Sequence, residues 1–220
     1  MKAGVDEAGR GPVLGPLVMA IVQIDQKQAQ ELQKAGVKDS KEVPFRKRTK
    51  LARLIKAHCQ HVIIKVLPTT IDKAVATQSL NTLEAKTTAK LIAKLAEQTP
   101  LGKIMLDLPT KNKETYCQEV KRYLSFDIDL DAKHKADQTH IAVAAASIIA
   151  KDARDRAISN LEKKYKIRLG SGYPADPVTQ QALQNHLPFL EEKKIARLSW
   201  KTVKNLKERQ TTMLQNGMLK

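Results

Sequence analysis

The chain has 220 residues, and 39 Lys and Arg against 23 Asp and Glu give it a formal net charge of +16. Apolar residues make up 42% of the chain and aromatic residues only 4%, so we expect a core of mainly aliphatic side chains. No apolar run reaches the roughly 18 residues that a membrane span needs. The basic surplus favours a polyanionic partner such as nucleic acid.

The cysteines and the N-terminal residues indicate the compartment. Cys59 and Cys117 show neither the spacing of a zinc site nor the density of a disulfide scaffold, so they are typical of reduced thiols. The acidic pair Asp6-Glu7 does not fit a secretory signal. We therefore expect a cytoplasmic protein without a membrane segment.

Strand-like and helical segments alternate along the chain and indicate the fold class. The residue patterns predict strands at 2–7, 13–24, 61–68, 103–109 and 125–131. They predict helices at 41–58, 69–77, 79–98, 111–124, 139–165 and near 178–186. This order predicts an α/β domain with a mixed sheet over residues 1–187. The composition becomes basic after Leu187-Pro188, so we expect a small helical C-terminal appendage over residues 188–220.

Three acidic residues occur at the ends of predicted elements. Asp6 follows a short apolar strand, Asp107 ends another strand, and Asp137 lies just before the helix that begins near residue 139. Taken singly, each fits equally well as a turn residue, a strand end or a helix cap. The neighbouring Glu7 weakens this structural interpretation of Asp6. Neighbouring residues of a strand face opposite sides of a sheet, so one of the two acids must point to a place that tolerates charge.

Carboxylates gathered at one edge of a sheet repel one another, which raises their pKa values and costs stability. A divalent cation removes that cost, and oxygen ligands without His or Cys favour Mg²⁺ or Mn²⁺. On a basic protein such a cluster indicates phosphoryl transfer on nucleic acid, with two metal ions assisting the attacking water and the leaving oxygen.

Two glycine-containing loops are candidates for substrate contact. Gly9-Arg10-Gly11 follows the acidic pair, and glycine allows a close approach of the backbone to a ligand. Tyr173 lies between a glycine and a proline, where little core is available to it. The alternatives are a plain connecting turn for the first loop and a loop aromatic covering the domain edge for Tyr173.

Five segments, in order, resemble the type 2 ribonuclease H family, most closely its archaeal and eukaryotic branch. They are DEAGRGPVLGPLV at 6–18, KDSKEV at 38–43, HKADQTHIAVAAASIIAKDARD at 134–155, LGSGYPADP at 169–177 and RLSWKTV at 197–203. The resemblance implies an RNase H-like fold and a metal-dependent endonuclease. Its substrates would be the RNA strand of RNA/DNA hybrids and duplex DNA with embedded ribonucleotides, which it would cut on the 5′ side of the ribonucleotide.

The resemblance also implies roles for single residues. The catalytic and metal-binding carboxylates would be Asp6, Glu7, Asp107 and Asp137, holding two Mg²⁺ or Mn²⁺ ions. The substrate-binding residues would be Gly9, Arg10, Gly11, Lys41, Ser147, Lys151 and Tyr173, with Tyr173 packing on the sugar and bonding its 2′-hydroxyl. One departure is Ala144, where the family often has serine.

Two other functions remain open from the sequence. One is a DNA nuclease of the same fold, such as a resolvase, although such an enzyme needs no reader of the 2′-hydroxyl. The other is a basic nucleic-acid-binding protein without catalysis, although a pure polyanion binder gains nothing from carboxylates in its groove. We expect a monomer, because no unexplained apolar stripe remains.

Overall fold

The computed structural model describes residues 1–37 and 43–215. Within these residues a mixed sheet has the strand order β3-β2-β1-β4-β5. Its strands are β1 (Lys2–Ala8), β2 (Leu17–Ile24), β3 (Gln60–Val66), β4 (Ile104–Asp107) and β5 (Leu130–Lys133). β1 is antiparallel to β2 and parallel to β4, and β4 is parallel to β5. The predicted mixed α/β sheet is confirmed.

Helices connect and follow these strands. They are α1 (Gln26–Lys34), α2 (Phe45–His58), α3 (Pro68–Thr77), α4 (Leu80–Ala96), α5 (Lys113–Lys121), α6 (Ile141–Tyr165), α7 (Pro177–Glu192) and α8 (Lys201–Gln215). A single turn of 3-10 helix, Ala136–Gln138, precedes α6. Ser79 and Asn112 begin α4 and α5 as N-caps that accept hydrogen bonds from backbone N–H groups.

The chain divides into two compact units. The first, unit one, comprises Met1–Ala8, Val18–Lys65 and Ser79–Arg154. The second, unit two, comprises Gly9–Leu17, Val66–Gln78 and Asp155–Lys220. The domain boundary predicted after residue 187 falls inside α7 and stays a prediction.

Unit one has an aliphatic core on one face of the sheet. Alternate residues of β1 and β2, such as Ala8, Val18 and Ala20, pack with the alanine-rich first half of α6. Gly4 permits this packing, because a Cβ at Gly4 would lie 2.3 Å from the backbone nitrogen of Val143. The absent side chain therefore sets how closely α6 approaches the strand that carries Asp6 and Glu7.

Replacing Gly4 by alanine is expected to destabilise the protein by about 2–3 kcal/mol, since the new methyl group meets backbone atoms that cannot turn away. The free energy of unfolding in urea measures the change. Gly11→Ala is the matched control, because a Cβ there would meet only the Tyr173 ring at an ordinary 3.6 Å. Equal stability of both variants would contradict the account of the contact between β1 and α6.

Unit two has its own apolar cluster. It combines Val13 and Leu14 with residues of α7 and with Ile195 and Ala196. An isolated bridge pairs Leu14 with Ala196. Leu14 is thereby held outside β2, which explains why the strand predicted from residue 13 begins only at Leu17.

Three further elements differ from the sequence predictions. α1 was not predicted, although Asp25 and Gln28 form a capping box that signals its start. The strand predicted at 125–131 is instead β5 at Leu130–Lys133, since the register with β4 begins at Leu130. α7 continues past the predicted end to Glu192, with a non-helical residue at His186 two positions before Pro188.

Candidate metal centre and substrate loop

Two neighbouring strands bring two carboxylates to one edge of the sheet. β1 and β4 run in parallel, and Val5 is paired with Leu106. The next residue on each strand is acidic, so Asp6 and Asp107 emerge side by side at the carboxyl ends of adjacent strands. This is the edge at which sites form in α/β proteins.

Glu7 completes a cluster of three acids. Asp6 faces the α6 side of the sheet, and Glu7, the next residue, faces the other side. At the strand end the carboxylates still converge, because carboxylate oxygens of Asp6, Glu7 and Asp107 all lie within 4.8 Å of one another. A set of hard oxygen donors at this spacing fits a divalent cation such as Mg²⁺ or Mn²⁺.

Burial and a neighbouring acid perturb Asp6. Its side chain is 5% exposed. Burial raises its pKa from 3.8 to about 7, and the nearby Asp107 adds to the rise. Two α6 residues oppose the rise: Ser147 donates a hydrogen bond to Asp6, and Lys151 supplies a positive charge. Lys151 Nζ also donates to Ser147 Oγ at 3.0 Å.

This pKa predicts how the metal-free protein responds to pH. Asp6 binds its proton more tightly in the folded state than in the unfolded state. The free energy of unfolding therefore has its full contribution from Asp6 below about pH 4, and this contribution is lost as the pH rises through 7. The loss is at most about 4 kcal/mol, from roughly three pKa units. In EDTA we expect the melting temperature to fall between pH 5 and pH 8 more in the wild type than in Asp6→Asn. Identical slopes would contradict the buried, acid-flanked position of Asp6.

Asp137 also lies in unit one, and the residue before it is hydrogen-bonded to Asp107. Asp107 Oδ1 accepts a hydrogen bond of 2.8 Å from the backbone N–H of Ala136. Lys135 adopts a left-handed conformation, with φ of 54°, just before the 3-10 helix that carries Asp137. Asp137 is 4% exposed. It is not among the three acids whose oxygens lie within 4.8 Å of one another in the described residues.

A buried tyrosine lies on the Glu7 side of the cluster. Tyr116 of α5 is 5% exposed, and its hydroxyl lies 3.3 Å from Thr88 Oγ1 of α4. Burial raises the pKa of Tyr116, and the negative charges of Glu84 and Glu7 add to the rise. The phenol is therefore held neutral as a hydrogen-bonding group beside the acids. No motif in the sequence pointed to it.

In unit two, side chains near the C-terminus bind the Gly9–Gly11 loop. Arg197 is fully buried and donates to three carbonyl oxygens: Gly9 at 2.6 Å, Arg10 at 3.0 Å and Gly15 at 3.1 Å. Trp200 Nε1 donates to the Gly11 carbonyl at 3.1 Å. The carbonyls of three consecutive loop residues are thus bound by two side chains from the RLSWKTV segment.

Tyr173 lies against this loop. A Cβ added to Gly11 would lie 3.6 Å from the Tyr173 ring, which is 44% exposed. The preceding residue fixes the tyrosine loop, because the Gly172 carbonyl accepts from the N–H of Val13 at 2.8 Å. The loop aromatic and the glycine loop therefore belong to one hydrogen-bonded assembly within unit two.

The structure groups most of the residues expected from the sequence. Ser147 and Lys151 lie at the acidic cluster of unit one, whereas Gly9, Arg10, Gly11 and Tyr173 lie together in unit two. Lys41 lies outside the described residues. The site residues expected from the sequence did not include Arg197. No local pattern could have found its role, because its partners are backbone carbonyls far away in the chain.

Within residues 1–37 and 43–215, no helix is both long and apolar enough to cross a bilayer.

Comparison with sequences of known proteins gives one consistent result. The family model described as ribonuclease HII matches residues 3–203. Ribonuclease HII from Thermococcus sibiricus is 40% identical over 210 residues, which cover 94% of this chain and 91% of the relative. Ribonuclease HII from Methanococcus maripaludis is 39% identical over 207 residues, which cover 92% and 84% of the two chains.

Solved structures agree with this. Ribonuclease H2 from Pyrococcus horikoshii has a TM-score of 0.83 and 37% identity, covering 94% of this chain and 97% of its own. The enzyme in the PCNA:RNase HII complex from Archaeoglobus fulgidus has a TM-score of 0.80 and 37% identity, covering 94% and 96%. A Bst-RNase HIII structure in complex with Mn²⁺ has a TM-score of 0.81 at 22% identity, covering 93% and 68%, and shows similarity of fold alone.

Proposed function

The chain belongs to the ribonuclease HII family, and from this premise we propose how its two sites divide the work. As a member it is an endoribonuclease that hydrolyses the RNA strand of RNA/DNA hybrids. Our proposal is that the acidic cluster binds two divalent ions, Mg²⁺ or Mn²⁺, for this reaction. We propose further that the enzyme cuts duplex DNA on the 5′ side of a single embedded ribonucleotide, leaving a 3′-hydroxyl and a 5′-phosphate.

The single observation that carries the proposal is the convergence of Asp6, Glu7 and Asp107 within 4.8 Å. Three carboxylates this close are costly without a counter-charge. Divalent ions bound by these residues would supply an activated water and would stabilise the charge that develops on the scissile phosphate. We propose that Asp137 is the fourth carboxylate of the centre.

The side chains of α6 keep Asp6 ready to bind metal. Ser147 donates to the Asp6 carboxylate, and Lys151 both donates to Ser147 and places a positive charge nearby. Each interaction favours the ionised form of Asp6, which is the form that binds a cation. Ser147 and Lys151 were expected to bind substrate. The proposal gives Lys151 a second role, because its ammonium group is also suited to a backbone phosphate.

We propose that unit two recognises the sugar. The N–H groups of the Gly9–Gly11 loop are suited to bind phosphate or sugar oxygens. Tyr173 offers an exposed ring and a phenol to a ribose. One 2′-hydroxyl distinguishes RNA from DNA at a single position. A phenol and the N–H groups of a loop can recognise it, because both can form hydrogen bonds with a hydroxyl.

A duplex of DNA with one ribonucleotide, labelled at its 5′ end, tests the proposal. With Mg²⁺ or Mn²⁺ we expect one nick on the 5′ side of the ribonucleotide, and no nick in EDTA or in an all-DNA duplex. A nick in the all-DNA duplex would favour the resolvase-like alternative. Binding of both duplexes without any cut, with an RNA/DNA hybrid also intact, would favour the non-catalytic alternative. The monomeric state and the cytoplasmic location stay predictions.

A further inference from the structure

We propose that Arg197 and Trp200 are positioning residues that hold the Gly9–Gly11 loop in the shape that reads the ribose. The C-terminal segment would then set the specificity for a ribonucleotide without touching it. This inference rests on the proposed function, because it assumes that the loop contacts the substrate.

The geometry of the peptide bond links the directions of the carbonyl and N–H groups in the Gly9–Gly11 loop. In a planar trans peptide the carbonyl of one residue points away from the N–H of the next. The carbonyls of Gly9 and Arg10 point toward the Arg197 guanidinium. The N–H groups of Arg10 and Gly11 must therefore point the opposite way. Pro12 has no N–H, so the carbonyl that Trp200 binds carries no donor opposite it.

Arg197 is a charged residue in a fully buried position. The side chain is 0% exposed, and a buried charge is costly unless its donors are satisfied. The planar guanidinium presents its donors in a fixed fork, which suits several carbonyls at set positions. Three of those donors go to the segment between Gly9 and Gly15. We therefore infer that Arg197 is buried here because it fixes the conformation of the segment between Gly9 and Gly15.

A frame of further contacts holds the two side chains. The Arg197 guanidinium lies 5.0 Å from the centre of the Trp200 ring, which suits a cation–π contact. Both carboxylate oxygens of Asp72 accept N–H groups of the intervening segment, from Leu198 and Ser199 at 2.9 Å. The N–H of Arg197 donates to the Val13 carbonyl at 2.8 Å. Contacts with Asp72 of α3 and with the Val13 carbonyl therefore fix the segment that carries Arg197 and Trp200.

Two conservative variants test the role. Arg197→Lys keeps the charge but replaces the fork by a single ammonium group, and Trp200→Phe keeps a ring but removes the donor to Gly11. We expect both to nick the single-ribonucleotide duplex ten- to a hundredfold more slowly, as for a misplacement of about 1 Å. Mn²⁺ binding by the acidic cluster should stay at the wild-type level. Leu183→Ala, in the same apolar cluster, is the control for lost stability alone.

A readout independent of activity is the backbone amide spectrum of ¹⁵N-labelled protein. If Arg197 positions the loop, the Arg10 and Gly11 resonances shift in Arg197→Lys and in Trp200→Phe but not in Leu183→Ala. If these resonances stay in place, the inference is overturned whatever the wild type cuts.

The two readouts separate the possible failures. Shifted resonances with wild-type nicking rates in both variants would also overturn the inference, as would a rate loss that Leu183→Ala shares. If the wild type nicks neither duplex nor hybrid, the proposed function fails, and the amide spectrum alone decides whether Arg197 and Trp200 hold the loop.

Discussion

Asp6→Asn is expected to reduce cleavage of an RNA/DNA hybrid by at least about a thousandfold, because metal stabilisation of the transition state is worth several kcal/mol. Asp6 is the buried member of the cluster, with Glu7 next to it on its own strand and Asp107 on the neighbouring strand. Asparagine keeps the shape of the side chain and one oxygen acceptor, so the fold should be retained. The initial rate in Mg²⁺ at pH 8 gives the effect.

The matched control for this variant is Asp131→Asn. Asp131 lies on β5, and its carboxylate pairs with Lys113 at 2.7 Å outside the cluster. It carries the same charge as Asp6 and is partly exposed, so its loss should change cleavage less than about twofold, as for an ordinary surface ion pair. Similar losses in both variants would mean that general charge, and not the metal cluster, governs the reaction.

Tyr173→Phe is expected to weaken the preference for a ribonucleotide over a deoxynucleotide without abolishing it, because the backbone of the Gly9–Gly11 loop still reads the sugar. A phenol that bonds the 2′-hydroxyl contributes about 1 kcal/mol, so nicking at a single ribonucleotide should fall roughly five- to tenfold. Tyr173→Ala also loses the ring and should fall about a hundredfold. The side chain is exposed, so neither variant should unfold the protein.

Binding in EDTA isolates the reading of the sugar from the chemistry. The wild type should bind the single-ribonucleotide duplex more tightly than the all-DNA duplex, and in Tyr173→Phe this difference in affinity should be about five- to tenfold smaller. Tyr165→Phe is the control, since Tyr165 is partly buried and packs edge-to-face on Phe189 against the apolar cluster of unit two. A Tyr173→Phe variant that keeps the full preference of the wild type would contradict the role given to its phenol.

The sequence predicted the parts of the site that depend on strand ends. Asp6 and Asp107 each follow apolar strand residues, and parallel pairing of those strands was sufficient to bring them together. The acidic pair Asp6-Glu7 also indicated a charged environment. The family resemblance pointed to Ser147 and Lys151 but not to their hydrogen-bonded order, since that depends on how closely α6 approaches β1 over Gly4.

Contacts distant in the chain were beyond sequence reasoning. Arg197 binds the carbonyls of Gly9 and Arg10, which are 188 and 187 positions away. Every residue has a backbone carbonyl, so the sequence does not show which carbonyls an arginine binds. Tyr116 acquires its place beside Glu7 only through the packing of α4 on α5. Such positions follow from packing, which local patterns do not encode.

The most direct test of the acidic cluster as a metal centre is a titration of the metal-free protein with Mn²⁺, followed by electron paramagnetic resonance. We expect saturable binding by the wild type and by Asp131→Asn, and a loss of the tightest binding in Asp6→Asn. Wild-type binding in Asp6→Asn would contradict the assignment of Asp6, Glu7 and Asp107 as the metal site.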